Sequence, residues 1–170
     1  MRALLGMLLI AGCSSDGGGT PDGPPPAGAI TVTAGGDVFS YTGFRWGANN
    51  DCPAAGASVI SVTLRGPQTG AGDHGLGLCL PRPDQIGAGS IDLGDSAHVQ
   101  LAGITGKLGS CEVAMKSGAT PSGSVTFTGF STQPGAAYQV TLAGQVAGTS
   151  SCGDGPITLT IAGTAAVTAQ

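Results

Sequence analysis

The sequence predicts an all-β domain, and three observations carry that prediction. From Ala29 onward, apolar and polar residues alternate with a period of two, which is typical of strands with one buried face. Clusters of Gly, Pro, Asn and Asp separate the alternating runs, at the places where turns belong. No window carries an apolar stripe at helical spacing that is long enough to matter. We therefore expect an antiparallel β-sandwich of about nine or ten short strands.

The alternating runs justify the strands one after another along the chain. They are residues 30–34, 39–46, 60–65, 76–80, 99–101, 111–116, 125–128, 138–149 and 157–167. The last two runs form the clearest hairpin, with Ser150–Pro156 as their connection. Because one apolar face per strand must be covered, two sheets packed about 10 Å apart are the default. A single sheet closed on itself is the alternative.

The N-terminus has the order of an export signal. Arg2 precedes the apolar run Ala3–Ile10, which is shorter than the roughly 20 residues of a membrane-spanning helix. The run ends in Ile10-Ala11-Gly12-Cys13, which resembles the lipobox of bacterial lipoproteins. The resemblance implies a signal peptide over residues 1–12, the only helix we expect. It also implies that Cys13 is the lipidated first residue of the mature chain.

This resemblance implies where the protein is held. The Cys13 sulfur would carry a diacylglycerol and its amine a further acyl chain such as palmitate, and two or three chains anchor stably where one does not. Ser14 stands where many Gram-negative lipoproteins retained at the inner membrane have Asp, which favours the outer membrane. Residues 13–28 then form a disordered Gly/Pro linker. Residues 29–170 form the β-sandwich domain.

Charge limits the partners. The net charge is −4, only 9% of residues are charged, and no basic patch exists, so nucleic acid is a poor partner. The 32 Gly and 11 Pro suggest low complexity, but after Ala29 they fall between the alternating runs, as turn residues do. The C-terminal half also resembles small all-β domains of exported bacterial lipoproteins, on Gly109–Val113, Ser122–Phe127 and Gly144–Val146. That resemblance implies a fold and a location, and no chemistry.

The four cysteines after Cys13 predict two disulfides, because an even number in an exported chain is typical of a disulfide framework. They are Cys52, Cys79, Cys111 and Cys152. The absence of any Cys-x-x-Cys pair disfavours zinc. Of the three pairings that four cysteines allow, we favour Cys52 with Cys79 and Cys111 with Cys152, since each pair joins neighbouring segments.

The sequence predicts no catalytic site, metal site or cofactor. His74 and His98 are the only histidines, and we expect the first in a solvated loop and the second pointing to solvent from a strand. No Gly-x-Ser-x-Gly elbow and no calcium-loop spacing occurs. We therefore expect a protein that is not an enzyme.

Trp46 marks the one candidate ligand site. It is the only tryptophan, and just before a loop it would offer a stacking face, with Arg45 and Asn49 as polar partners. The alternative is that Trp46 plugs the core at a sheet end. The sequence thus predicts a monomeric, lipid-anchored envelope protein with a structural or interaction role, and an envelope protein or glycan as possible partner. The alternative function is a glycan-binding or small-ligand-binding module.

Overall fold

The structure is a computed structural model that describes residues 29–35, 37–41, 43–48, 60–65, 75–108 and 110–169. The described strands are β1 (Ile30–Ala34), β2 (Asp37–Tyr41), β3 (Gly43–Ala48), β4 (Ile60–Arg65), β5 (Gly75–Leu80), β6 (Ser90–Asp92), β7 (Gln100–Leu108), β8 (Cys111–Met115), β9 (Ser122–Thr128), β10 (Ala137–Ser150) and β11 (Gly153–Thr168). One short 3₁₀ turn spans Pro83–Gln85. The predicted all-β class is confirmed.

The strands pair antiparallel in one continuous hydrogen-bonded sheet, in the order β2-β1-β11-β10-β8-β7-β5-β4-β3. The first and last strands of this order are consecutive in sequence, since β2 ends at Tyr41 and β3 begins at Gly43. β3 also lies close to β11. Because β3 at one end of this order lies close to β11 near the other end, the sheet is curled, and the arrangement as two separate sheets is not confirmed.

The hairpin of β10 and β11, which the sequence predicts, pairs the two longest described strands. Its register runs from Ala137 opposite Thr168 to Ser150 opposite Gly153. The other edge of β10 serves two strands in succession: β9 pairs with residues 139–145 and β8 with residues 148–150. β6 then adds to the far side of β9.

The inward-facing residues of the strands form one apolar core. Alternation decides their positions: Tyr138, Val140 and Leu142 of β10 are buried, while the residues between them are exposed or only partly covered. The largest fully buried side chains are Phe127, Ile30, Leu76, Leu78, Leu80, Leu93, Ile104, Leu142, Leu159 and Ile161. All but Leu93 lie on strands, so the periodicity that predicts the strands also predicts most of the core.

One predicted disulfide is confirmed. Cys111, at the start of β8, bonds to Cys152 in the β10–β11 connection, with an S–S distance of 2.08 Å. Cys79 is buried on β5 and is also disulfide-bonded. Its predicted partner Cys52 lies outside the described residues, as do Cys13 and the predicted linker.

Candidate functional site

The predicted ligand residues are only partly within the described structure. Trp46 and Arg45 lie in β3, where Trp46 stands opposite Val62 of β4 and Arg45 stands opposite Thr63. Val62 in turn stands opposite Leu78 of β5, which is fully buried. Asn49 and His74 lie outside the described residues. The register thus places Trp46 within β3, level with Val62 of β4 and Leu78 of β5.

A separate groove lies between the β6–β7 connection and the β8–β9 connection. Its volume is about 340 Å³. Buried Leu93, Val99 and Leu101 belong to its apolar lining, and its polar side chains are those of Ser96, Gln100 and Thr120. None of its lining residues is charged. The groove offers contact area and neutral hydrogen-bonding groups, so its chemistry suits an uncharged ligand.

Two aspartates shape the groove wall through turns of the backbone. Asp92 Oδ1 accepts a hydrogen bond from the Gly94 N–H at 2.7 Å, and Asp95 Oδ1 accepts one from the Ala97 N–H at 3.2 Å. Each bond closes an Asx turn, which is the local role that Asp favours in loops. Gln100 then donates from Nε2 to the Ser96 carbonyl at 3.1 Å. These carboxylates are therefore engaged in holding the wall.

His98 is tied to two neighbours. Its Nδ1 lies 2.7 Å from Asp95 Oδ2, and its Nε2 lies 3.1 Å from Gln85 Oε1. The expectation that His98 points to solvent from a strand is wrong, because it lies in the turn before β7 and its side chain is only 35% exposed. The histidine links the groove wall to the 3₁₀ turn at Pro83–Gln85. The spacing Asp95-x-x-His98 was the one sequence signal for this link.

This arrangement differs from a nucleophile–base pair. In catalytic triads an acid orients a histidine whose other nitrogen faces a hydroxyl or thiol nucleophile. Here the acid is present as Asp95, but the second nitrogen of His98 meets the amide of Gln85. These three side chains instead hold the β5–β6 connection, which contains Gln85, against the β6–β7 connection.

An aromatic cluster lies at the start of β10, away from the groove-lining residues. Phe130 packs edge-to-face on both Phe127 and Tyr138, with ring centroids 5.5 and 5.2 Å apart. Tyr138 is 3% exposed, and its hydroxyl has no hydrogen-bond partner among the described residues. Burial raises the pKa of the Tyr138 phenol well above its usual 10.0. Sequence patterning places Tyr138 in the core but gives no signal for the unpartnered hydroxyl.

The described part of the chain holds neither a cluster of metal-ligating side chains nor a membrane-spanning helix. Among those residues no group of three or more His, Cys, Asp or Glu is arranged to hold a metal ion. Likewise, none of the described helical structure is long and apolar enough to cross a bilayer. No protein-family model, curated protein or solved structure matches the chain.

Proposed function

We propose that this protein is a non-enzymatic lipoprotein of the bacterial cell envelope, anchored through Cys13 and acting through its domain surface in a structural or interaction role. The observation that carries the proposal is the segment Ile10-Ala11-Gly12-Cys13 after a short apolar run. Its resemblance to a lipobox makes the Cys13 sulfur the site of acylation. The acyl chains on Cys13 then attach the protein to the membrane.

The disulfide between Cys111 and Cys152 supports an exported location. Disulfides persist in oxidising compartments and are rare where glutathione and thioredoxin keep thiols reduced. Cys152 is exposed, so the bond is within reach of reductants in a reducing compartment. Ser14 stands where an inner-membrane retention signal would have Asp, which favours an outer-membrane position in a Gram-negative bacterium.

The contacts of His98 support the non-enzymatic part of the proposal. Both of its ring nitrogens are engaged, by Asp95 and by Gln85. A general base needs one ring nitrogen directed at the proton it removes. The one histidine among the described residues, His98, therefore has a structural role.

Replacing Cys13 tests the anchor. In cells that process bacterial lipoproteins, we expect Cys13→Ser to lose all incorporation of labelled palmitate and to accumulate as uncleaved precursor, because serine lacks the thiol that is acylated. Label incorporation and the mass of the N-terminal peptide measure the two effects. Ser15→Ala is the matched control and should be labelled and processed as the parent chain is. Normal labelling or cleavage of Cys13→Ser would overturn the proposal.

A further inference from the structure

The described cysteines, all of them disulfide-bonded, differ in their access to solvent. Cys79 lies within β5 and is 2% exposed. Cys152 is exposed in the β10–β11 connection, and its partner Cys111 is partly buried at the start of β8. The residues on either side of Cys152 are Ser151 and Gly153, which carry no large side chain. A thiolate must reach a sulfur to break a disulfide, so access favours reaction at Cys152 in the folded chain.

The bond lies at the end of a short junction between two parts of the sheet. Among the described strands, β8 alone joins β10 by hydrogen bonds to β7, β5, β4 and β3. Its register with β10 covers three residue pairs, in which residues 148–150 stand opposite residues 113–115. Along the same edge of β10, β9 pairs with the seven residues 139–145. The β8–β10 junction is therefore the shorter of the two pairings on this edge.

Two hydrogen bonds and the disulfide continue this junction beyond its last register pair. The Ser151 N–H donates to the Glu112 carbonyl oxygen at 2.8 Å, and the Glu112 N–H donates to Ser151 Oγ at 2.8 Å. The next residues on the two segments are Cys111 and Cys152, whose Cα atoms are 5.3 Å apart. The end of a short pairing opens at little cost in free energy. The covalent bond thus holds the junction closed where it would otherwise open first.

We propose that the Cys111–Cys152 disulfide is a thiol-exchange site, at which a dithiol of the cell envelope reacts with the Cys152 sulfur, and that its reduction opens the β8–β10 junction. Exposed disulfides are typically the labile or regulatory ones. The proposal rests on the envelope location proposed above only for the source of the dithiol. It requires nothing of Cys13, so it stands apart from the lipid anchor.

The exchange is a two-electron reduction in two displacements. One thiolate of the dithiol attacks Cys152 Sγ, the bond to Cys111 breaks, and Cys111 leaves as a thiolate that takes up a proton. The second thiolate of the dithiol then attacks its own sulfur in the mixed disulfide, and Cys152 leaves and takes up a proton. The dithiol is thereby oxidised to a disulfide, and its two protons end on the two cysteines. The reverse reaction with an oxidised dithiol restores the bond.

Timed reduction of the folded chain tests the site. In dilute dithiothreitol without denaturant, Cys111 and Cys152 should become available to alkylation at least about tenfold sooner than Cys79, which is the internal control. Peptide mapping assigns each thiol, so the state of Cys13 does not affect the result. Brief treatment with glutathione followed by alkylation should leave glutathione on Cys152. Reduction no faster than that of the Cys79 bond, or glutathione found mainly on Cys111, would overturn the proposal.

Hydrogen exchange tests the opening of the junction. After reduction, the backbone amides of Glu112 and Ser151 should exchange at least about tenfold faster, while the β9–β10 pairing keeps its protection. The matched control is the double variant Cys111→Ser with Cys152→Ser, in which dithiothreitol should change neither amide. Unchanged exchange of Glu112 and Ser151 in the reduced parent chain would contradict the opening. Loss of protection across the whole sheet would also overturn it, because the bond would then hold the entire fold.

Discussion

At the scale of single residues, Tyr138 combines good packing with an unsatisfied polar atom. Its ring contacts Phe130 edge-to-face and lies 6.5 Å from the centroid of Phe127. Its hydroxyl is buried without a hydrogen-bond partner among the described residues. An unmade hydrogen bond of this kind costs the full desolvation of the group, about 1–3 kcal/mol. The residue therefore contributes through its ring, while its hydroxyl subtracts from stability.

Removing only the hydroxyl should keep or improve stability. We expect Tyr138→Phe to raise the free energy of unfolding by about 0–2 kcal/mol, because the aromatic contacts remain and the buried polar atom is lost. Chemical denaturation of the two chains measures the difference. Tyr138→Leu is the control that loses the ring contacts, and it should be clearly destabilised. A loss of more than about 1 kcal/mol in Tyr138→Phe would show that the hydroxyl is bound.

The same variant should change the response to alkaline pH. Burial raises the pKa of Tyr138 in the folded state above the 10.0 of an exposed tyrosine, so the unfolded chain loses this proton first. Titration of Tyr138 therefore leaves the free energy of unfolding unchanged below pH 10 and lowers it as the pH rises from 10 toward the folded-state pKa. Tyr138→Phe should therefore lose less stability above pH 10 than the parent chain does.

At the scale of elements, the transfer of β10 from one partner strand to another depends on glycine. Gly144 stands opposite Gly123 in β9, near the end of that pairing and just before β8 takes over the edge. A Cβ on Gly144 would lie 2.4 Å from the Ser122 carbonyl oxygen and 2.7 Å from Leu93 Cδ1. Gly123 has φ +112°, which side-chain-bearing residues rarely adopt. Both strands thus approach too closely for side chains.

Adding one methyl group at this crossing should be costly. We expect Gly144→Ala to lower the free energy of unfolding by about 1–3 kcal/mol, because the Ser122 backbone and the Leu93 side chain must move away from the new methyl group. Gly103→Ala in β7 is the matched control, since a Cβ there meets nothing within 4 Å. The control should be neutral or gain up to about 1 kcal/mol from the stiffer chain. Thermal unfolding compares the two, and equal stability of both variants would contradict the close approach.

Patterning predicts the continuously alternating strands well and the short or composite ones poorly. The runs at 30–34 and 60–65 coincide with β1 and β4. β6 was missed because Ile91, alone between two polar residues, is too short a pattern to recognise. The run at 39–46 was predicted as one strand because its alternation continues, whereas the change of partner between β2 and β3 is set by distant strands. The groove was missed for the same reason, since its walls come from segments about residues 93–101 and 119–121.

At the scale of the whole molecule, the disulfide between Cys111 and Cys152 acts on the unfolded chain. It joins residues 41 positions apart, across β8, β9 and β10. Such a link stabilises mainly by reducing the conformational freedom that the unfolded chain would otherwise have. The loop-closure contribution for this separation is up to about 4 kcal/mol. In a domain with few charged residues to pair, that is a substantial share of a typical stability of about 5–15 kcal/mol.

Removing this link should lower stability without changing the strand order. We expect Cys111→Ser with Cys152→Ser to lose up to about 4 kcal/mol of unfolding free energy, the loop-closure value for this separation. Urea titration measures the loss. Ser151→Ala is a nearby control that removes only the hydrogen bond from the Glu112 N–H, and it should lose about 1 kcal/mol. An unchanged midpoint in the double variant would show that the link contributes nothing.

The outer strands of the sheet have a consequence for solubility. Strand edges with unpaired N–H and C=O groups are templates for aggregation, and proteins often protect them with charge. A chain with 9% charged residues has little charge available for that purpose. In the described sheet the outer strands are short: β2 and β3 have five and six residues, and β6 has three and ends in Asp92. Short outer strands thus limit the intermolecular strand addition that other β proteins prevent with lysine and glutamate.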